Sequence, residues 1–150
     1  MDAESHEPTM NDTRSDDALA AEWHRLMQRY NHLTCRLDRE LGTAHGLSAS
    51  EFETLQQLAS YEPRGAMRMA DLAASVHLSQ SALSRLVGRL EKEGLVTRDV
   101  CSNDRRSVWT AITEAGRDRH REARPTQRAI LRSELGECTK AAEDFRLVTT

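Results

Sequence analysis

The strongest constraint on the fold is a change of hydrophobic period at Gly94. Before it, Met69, Leu72, Ala73 and Val76 recur at helical spacing, the pattern breaks at His77-Leu78, and Ser79 stands as the N-cap of a helix carrying Leu83, Leu86, Val87 and Leu90. Gly94 is placed to close that helix. After it, Leu95 to Val100 and Ser107 to Thr113 are β-favouring runs (Val96, Thr97, Val100; Val108, Trp109, Thr110, Ile112), joined by the polar, basic stretch Cys101 to Arg106. Two short helices joined by a few residues and followed by a hairpin give a helix-turn-helix with a β-ribbon beside it.

The flanks are helical, so the expected class is mainly α with a small β-hairpin (α+β). Residues 1–14 have almost no apolar content and read as a disordered acidic tail, leaving 15–150 as a single domain. Ser15, with Asp16 and Asp17, is placed as an N-cap, and Leu19, Trp23, Leu26, Tyr30, Leu33 and Leu37 follow as a heptad-like seam ending near Gly42 or Gly46. A seam of that length on a first helix asks for another helix to lie against. Ser48-Ala49-Ser50-Glu51 is a capping box, opening a helix that turns Phe52, Leu55 and Leu58 inward and stops before Pro63 and Gly65. Thr113 caps a long helix, Pro125 predicts a kink or join near Arg124, and a final short helix is expected over Cys138 to Val148.

Charge is informative once it is divided. The chain as a whole carries −3, but residues 1–22 carry −6, and the segment 64–106 holds eight bases against five acids. The basic excess lies on the helix-turn-helix and hairpin, where it would attract phosphate. Aromatic residues, at 4%, are too few for a stacking platform on single strands. The longest apolar run, Ala18 to Ala21, is far short of a membrane span, and Met1 to Asp17 lack the order of a secretory signal, so a cytoplasmic protein is expected. Three cysteines without a C-x-x-C pair argue against a disulfide scaffold or zinc knuckle. The six histidines are scattered, and no metalloprotease, nucleophile-elbow or phosphate-loop motif occurs; no catalytic residue, metal or cofactor is expected.

The helix after Ser79 has the chemistry of a major-groove reader. With Leu83, Leu86, Val87 and Leu90 turned inward, Gln80, Ser81, Ser84, Arg85, Gly88 and Lys92 lie largely on the opposite face. Small side chains allow close approach to base edges, glutamine pairs with adenine, and arginine grips guanine through two hydrogen bonds. Ser79 to Ser81 also stand at a helix N-terminus, which favours phosphate. The hairpin strengthens this reading, because Arg105 and Arg106 at its tip suit a neighbouring minor groove. Arg98 on the first strand and Asp104 join the DNA-binding set, with Asp104 expected to orient Arg106, or Arg98, through a charge-assisted bond. An ordinary solvated amphipathic helix is the plainer reading of the helix taken alone.

The run LSQSALSRLVGRLEKEGLVTRDVCSNDRRSVWTAITEAG, Leu78 to Gly116, resembles the winged-helix core of MarR-type (multiple antibiotic resistance regulator) transcription factors. Its most specific pieces are Asp104 and Arg106 as D-x-R, Ile112-Thr113 before Gly116, and Glu93-Gly94-Leu95-Val96. The resemblance implies a winged helix-turn-helix over 48–113 and a homodimer interlocked through dimerisation helices at 15–46 and 114–150. Its partner would be double-stranded DNA at a near-palindromic operator. It further implies a repressor relieved by a small aromatic or anionic effector, for which Trp23, His24, Tyr30 and Phe52 are candidates, with Arg25 or Arg29 as a carboxylate partner. Trp23 and Tyr30 also lie on the seam, where packing is the simpler reading. A thiol-responsive regulator using Cys101, set among Arg98, Arg105 and Arg106, is the alternative. A protein-interaction module on the same fold is more remote.

Overall fold

The computed structural model describes residues 10–61, 64–100 and 107–148, with side chains described within 15–136. The elements are α1 (Met10–His45), α2 (Ala49–Ser60), β1 (Ala66–Arg68), α3 (Met69–Ser75), α4 (Gln80–Lys92), β2 (Val96–Val100), β3 (Val108–Ile112) and α5 (Glu114–Val148). The molecule is mainly helical with one small antiparallel sheet, as the sequence predicts. The chain divides after Cys35 into an N-terminal helical unit and a second unit that holds everything from Arg36 onward.

In the first unit, helix α1 begins at Met10, five residues before the expected Ser15 cap, so residues 10–14 are helical where a disordered tail is predicted. Extending an existing helix adds a hydrogen bond for each residue fixed and needs no new nucleus, which lets a polar stretch join it. Within this unit the predicted seam is open: Leu19, Trp23, Leu26 and Tyr30 are 66%, 63%, 52% and 69% exposed, and Met27 joins them.

The second unit holds the core. Ser48 accepts from the Glu51 N–H at 3.1 Å while Glu51 accepts from the Ser48 N–H at 2.9 Å, completing the predicted capping box of α2. Phe52, Leu55 and Leu58 then pack inward, beside Leu72 of α3 and Leu83, Leu86, Val87 and Leu90 of α4, all nearly inaccessible. Each such side chain contributes about 1.5–3 kcal/mol by leaving water, so burial fixes which face of α4 turns outward.

Both helices of the helix-turn-helix stop in the same way. After α3, the N–H of His77 donates to Ala74 O and that of Leu78 to Ala73 O, with His77 in the left-handed region at φ 56°. After α4, the N–H of Gly94 donates to Glu91 O and that of Leu95 to Leu90 O, with Gly94 at φ 72°. These paired bonds are Schellman closures, which satisfy the last carbonyls and turn the chain sharply. Ser79, extended, accepts from the Ala82 N–H and starts α4 as expected.

The sheet differs from the predicted hairpin by one strand. β2 and β3 pair antiparallel with Arg98 opposite Thr110, and β1 pairs along the other side of β3 with Arg68 opposite Trp109, giving the order β1-β3-β2. Three residues are too few to show a period of two, so β1 owes its form to pairing with β3.

α5 also departs from expectation. It is assigned as one helix to Val148, where a join near Arg124 and a separate helix from Cys138 are predicted. Pro125 is exposed, as is Arg121, whose carbonyl loses its partner, so water can take that carbonyl and the ladder resumes beyond it. Thr113 caps α5 as predicted, accepting from the Gly116 N–H at 3.1 Å.

His120 of α5 is 8% exposed, tilted against the Phe52 ring at a centroid distance of 5.2 Å, with Nε2 donating to Gln56 Oε1 at 2.9 Å. Burial, with Arg124 and Arg128 adding to it and Glu53 opposing, holds its pKa below the ordinary histidine value. The folded chain therefore binds this proton less readily than the unfolded chain, and stability is lost as pH falls below about 6.5. Melting temperature is expected to drop between pH 7.5 and 5, with a shallower drop in His120→Gln; parallel profiles for parent and variant would refute this.

Candidate nucleic-acid interface

The outward face of α4 carries the residues selected from the sequence. Ser79, Gln80, Ser81, Ser84 and Arg85 are all exposed on one side of the element whose other side is core. Ser79 is partly committed, since its hydroxyl caps the helix and lies 3.3 Å from that of Ser81. Arg85 is exposed and forms no ion pair with any described residue.

Four other cations of the same region are engaged. Arg89, one turn along α4, donates from Nε to Glu51 Oε1 at 3.0 Å, tying α4 to the capping box of α2. Arg98 of β2 donates to Glu91 of α4. Arg68, at the end of β1, sits over the Trp109 ring at 5.5 Å. Arg119 of α5 donates to His45 O at 3.0 Å and lies 3.5 Å from Glu93, just past α4. None of these pairings has a sequence signal, because each joins residues from different elements or across a turn.

Between α4 and the sheet lies an open cleft of about 340 Å³, bordered by Arg68, Gln80, Ser84, Arg98 and Ser107. Met69, Ala70 and Val108 supply apolar parts of its lining, and it borders the exposed end of α4.

The hairpin tip, with Cys101, Asp104, Arg105 and Arg106, lies outside the described residues. The expected Asp104 bond therefore has no described counterpart, and the described partner of Arg98 is Glu91. Of the residues chosen for an effector, Trp23, His24 and Tyr30 are exposed on α1, whereas Phe52 is 1% exposed and serves as core under His120. Arg25 is exposed and paired with Glu22 at 2.7 Å, a contact of little energetic weight there.

Among the described residues no His, Cys, Asp and Glu side chains gather to hold a metal ion, and no helix is long and apolar enough to cross a membrane. A helix-turn-helix with a sheet closing against its second helix defines a winged-helix protein. A profile of the MarR family matches residues 47–108. An uncharacterised HTH-type transcriptional regulator of Bacillus cereus is 32% identical over 108 residues, 72% of this chain and 69% of that protein. The fold superposes with a TM-score of 0.72 on AbsC, a MarR family transcriptional regulator from Streptomyces coelicolor, at 28% identity, covering 89% of this chain and 93% of that one. A second MarR family regulator of that organism, solved in complex with DNA, gives a TM-score of 0.73 at 28% identity over 87% of this chain and 88% of that one. The chain belongs to the MarR family, whose members matched here are transcriptional regulators and not enzymes.

Proposed function

We propose that this protein is a homodimeric, sequence-specific double-stranded DNA-binding regulator that reads a near-palindromic operator. The observation that carries it is the solvent-facing row Gln80, Ser81, Ser84 and Arg85 on a helix whose other face is fixed in the core, with Arg85 in no ion pair among the described residues. In this reading Ser79 to Ser81 meet the backbone at the helix N-terminus, Ser84 and Arg85 meet base edges, and Arg105 and Arg106, oriented by Asp104, reach a minor groove. Dimerisation through 15–46 and 114–150 sets the two reading heads about one turn of DNA apart.

Selection of bound duplexes from random DNA tests this directly. On the selected site, Arg85→Ala is expected to cost about 10- to 100-fold in affinity and to relax preference at one base pair. Arg106→Ala is expected to weaken all sequences together and to flatten the salt dependence by about one ion. Parental affinity and preference in both variants would remove the assignment.

The regulatory reading is repression relieved by a small aromatic or anionic effector, supported by the family resemblance and by the exposure of Trp23, His24 and Tyr30. The burial of Phe52 removes it from direct contact unless the core opens. An effector that prefers one state must shift both melting temperature and DNA release. Aromatic acids that change neither would end this reading and leave peroxide sensing at Cys101, tested with Cys101→Ser, as the alternative.

A further inference from the structure

Arg98 stands on β2, an edge strand of the sheet, and both its main chain and its side chain turn to one residue of α4. Its Nη2 donates to Glu91 Oε1 at 3.2 Å, and its backbone N–H donates to Glu91 Oε2 at 3.2 Å. Among the described residues β2 pairs with β3 alone, so an N–H directed away from β3 would otherwise be left to water. Glu91 satisfies it and binds the guanidinium of the same residue. Gly88, nearly one turn earlier on α4, leaves that guanidinium against bare helix, where an added Cβ would stand 3.7 Å from Nη2.

We infer that Glu91 and Arg98 latch β2, the first strand of the hairpin, onto the recognition helix, and that both are positioning residues for DNA binding and not DNA contacts. This replaces the contact role expected of Arg98, and it rests on the DNA-binding reading above. One bond would fix where the strand lies; two bonds from one carboxylate, to main chain and side chain, also fix its twist. The twist matters because the hairpin tip begins just past Val100, two residues beyond the latch. A phosphate could recruit Arg98 only by drawing it away from Glu91. The Arg98 bond also holds the Glu91 carboxyl below the usual carboxylate range, so the latch stays closed at neutral pH.

The test is operator binding by the full chain across a salt series. Glu91→Gln and Arg98→Gln are each expected to lower affinity about five- to tenfold, the double variant to be no weaker than the weaker single, and the swap Glu91→Arg with Arg98→Glu to recover most of the loss. The salt slope is expected to match the parent throughout. If Arg98 instead touches phosphate, Arg98→Gln lowers the slope by about one, and Glu91→Gln, by removing an anion beside DNA, strengthens binding. Either result overturns the latch. Hydrogen exchange without DNA gives a second readout: the Arg98 amide is expected to be protected in the parent and unprotected in Glu91→Ala. Fast exchange in the parent overturns the latch whatever DNA does. A parent that shows no salt-dependent duplex binding overturns the DNA reading, and with it the positioning role, while the Arg98 amide still judges the contact itself.

Discussion

Gly116→Val is expected to destabilise the fold by about 3 kcal/mol or more, the largest stability loss predicted for any single substitution here. Gly116 is buried in the first turn of α5, and a Cβ built on it would drive into the carbonyl oxygen of Leu95, with Ile112 Cγ1 at 2.8 Å and the Leu95 carbonyl carbon at 3.0 Å. The obstruction is backbone, so no rotamer relieves it. That same Leu95 carbonyl accepts the Thr113 N–H at 3.1 Å, which fixes where β3 ends and α5 begins against the closure of α4. A valine must therefore push the end of α4 from the start of α5 or lose the bond. Gly136, in the same helix, has nothing within 4 Å of its Cβ position among the described residues, so Gly136→Ala is expected to be neutral or to gain up to about 1 kcal/mol of helix propensity. Denaturant unfolding of both variants decides: a Gly116→Val chain within about 0.5 kcal/mol of the parent would show that the close approach is not there.

Legibility in the sequence followed the range over which each feature is encoded. α4 is readable because its cap, its four inward apolar residues and its closing glycine all fall within one window, and every one of them is found in its expected role. The capping box of α2 is readable for the same reason. β1 is not, because its form depends on a partner more than forty residues later in the chain. Pro125 misleads in the opposite direction: the local rule predicts a break, while the exposed position lets water carry the cost. The candidate site divides in the same manner. Which residues lie on the open face of α4 follows from helical period, but which cations remain unpaired does not. Arg89 is committed to Glu51, thirty-eight residues away, and Arg98 to Glu91 across the Gly94 turn, whereas Arg85 is in no ion pair among the described residues. Phe52 as an effector contact is an aromatic picked for its type, and its burial under His120 is a tertiary fact that no spacing reveals.

Replacing Trp23 and Leu26 together by glutamate is expected to yield a folded monomer whose operator affinity falls about 10²- to 10⁴-fold, the largest functional loss predicted. Leu19, Trp23, Leu26 and Tyr30 follow one another at steps of four, three and four, which places them on one side of α1, and all are more than half exposed in the single chain. Helix propensity alone does not secure a long isolated helix in water; an amphipathic stripe gains its stability by being covered. A second copy of the same helix, related by a two-fold axis, offers a matching stripe at no cost in specificity. When two reading heads are joined in this way, the second binds its half-site at the effective concentration set by the first, and separating them forfeits that gain without altering either head. The glutamate variant should thus bind an isolated half-site as the parent does while losing the full site. Sedimentation equilibrium, together with titration of full-site and half-site duplexes, distinguishes the outcomes. A variant that stays dimeric places the interface elsewhere, and a parent that is monomeric at micromolar concentration removes the dimer from the mechanism.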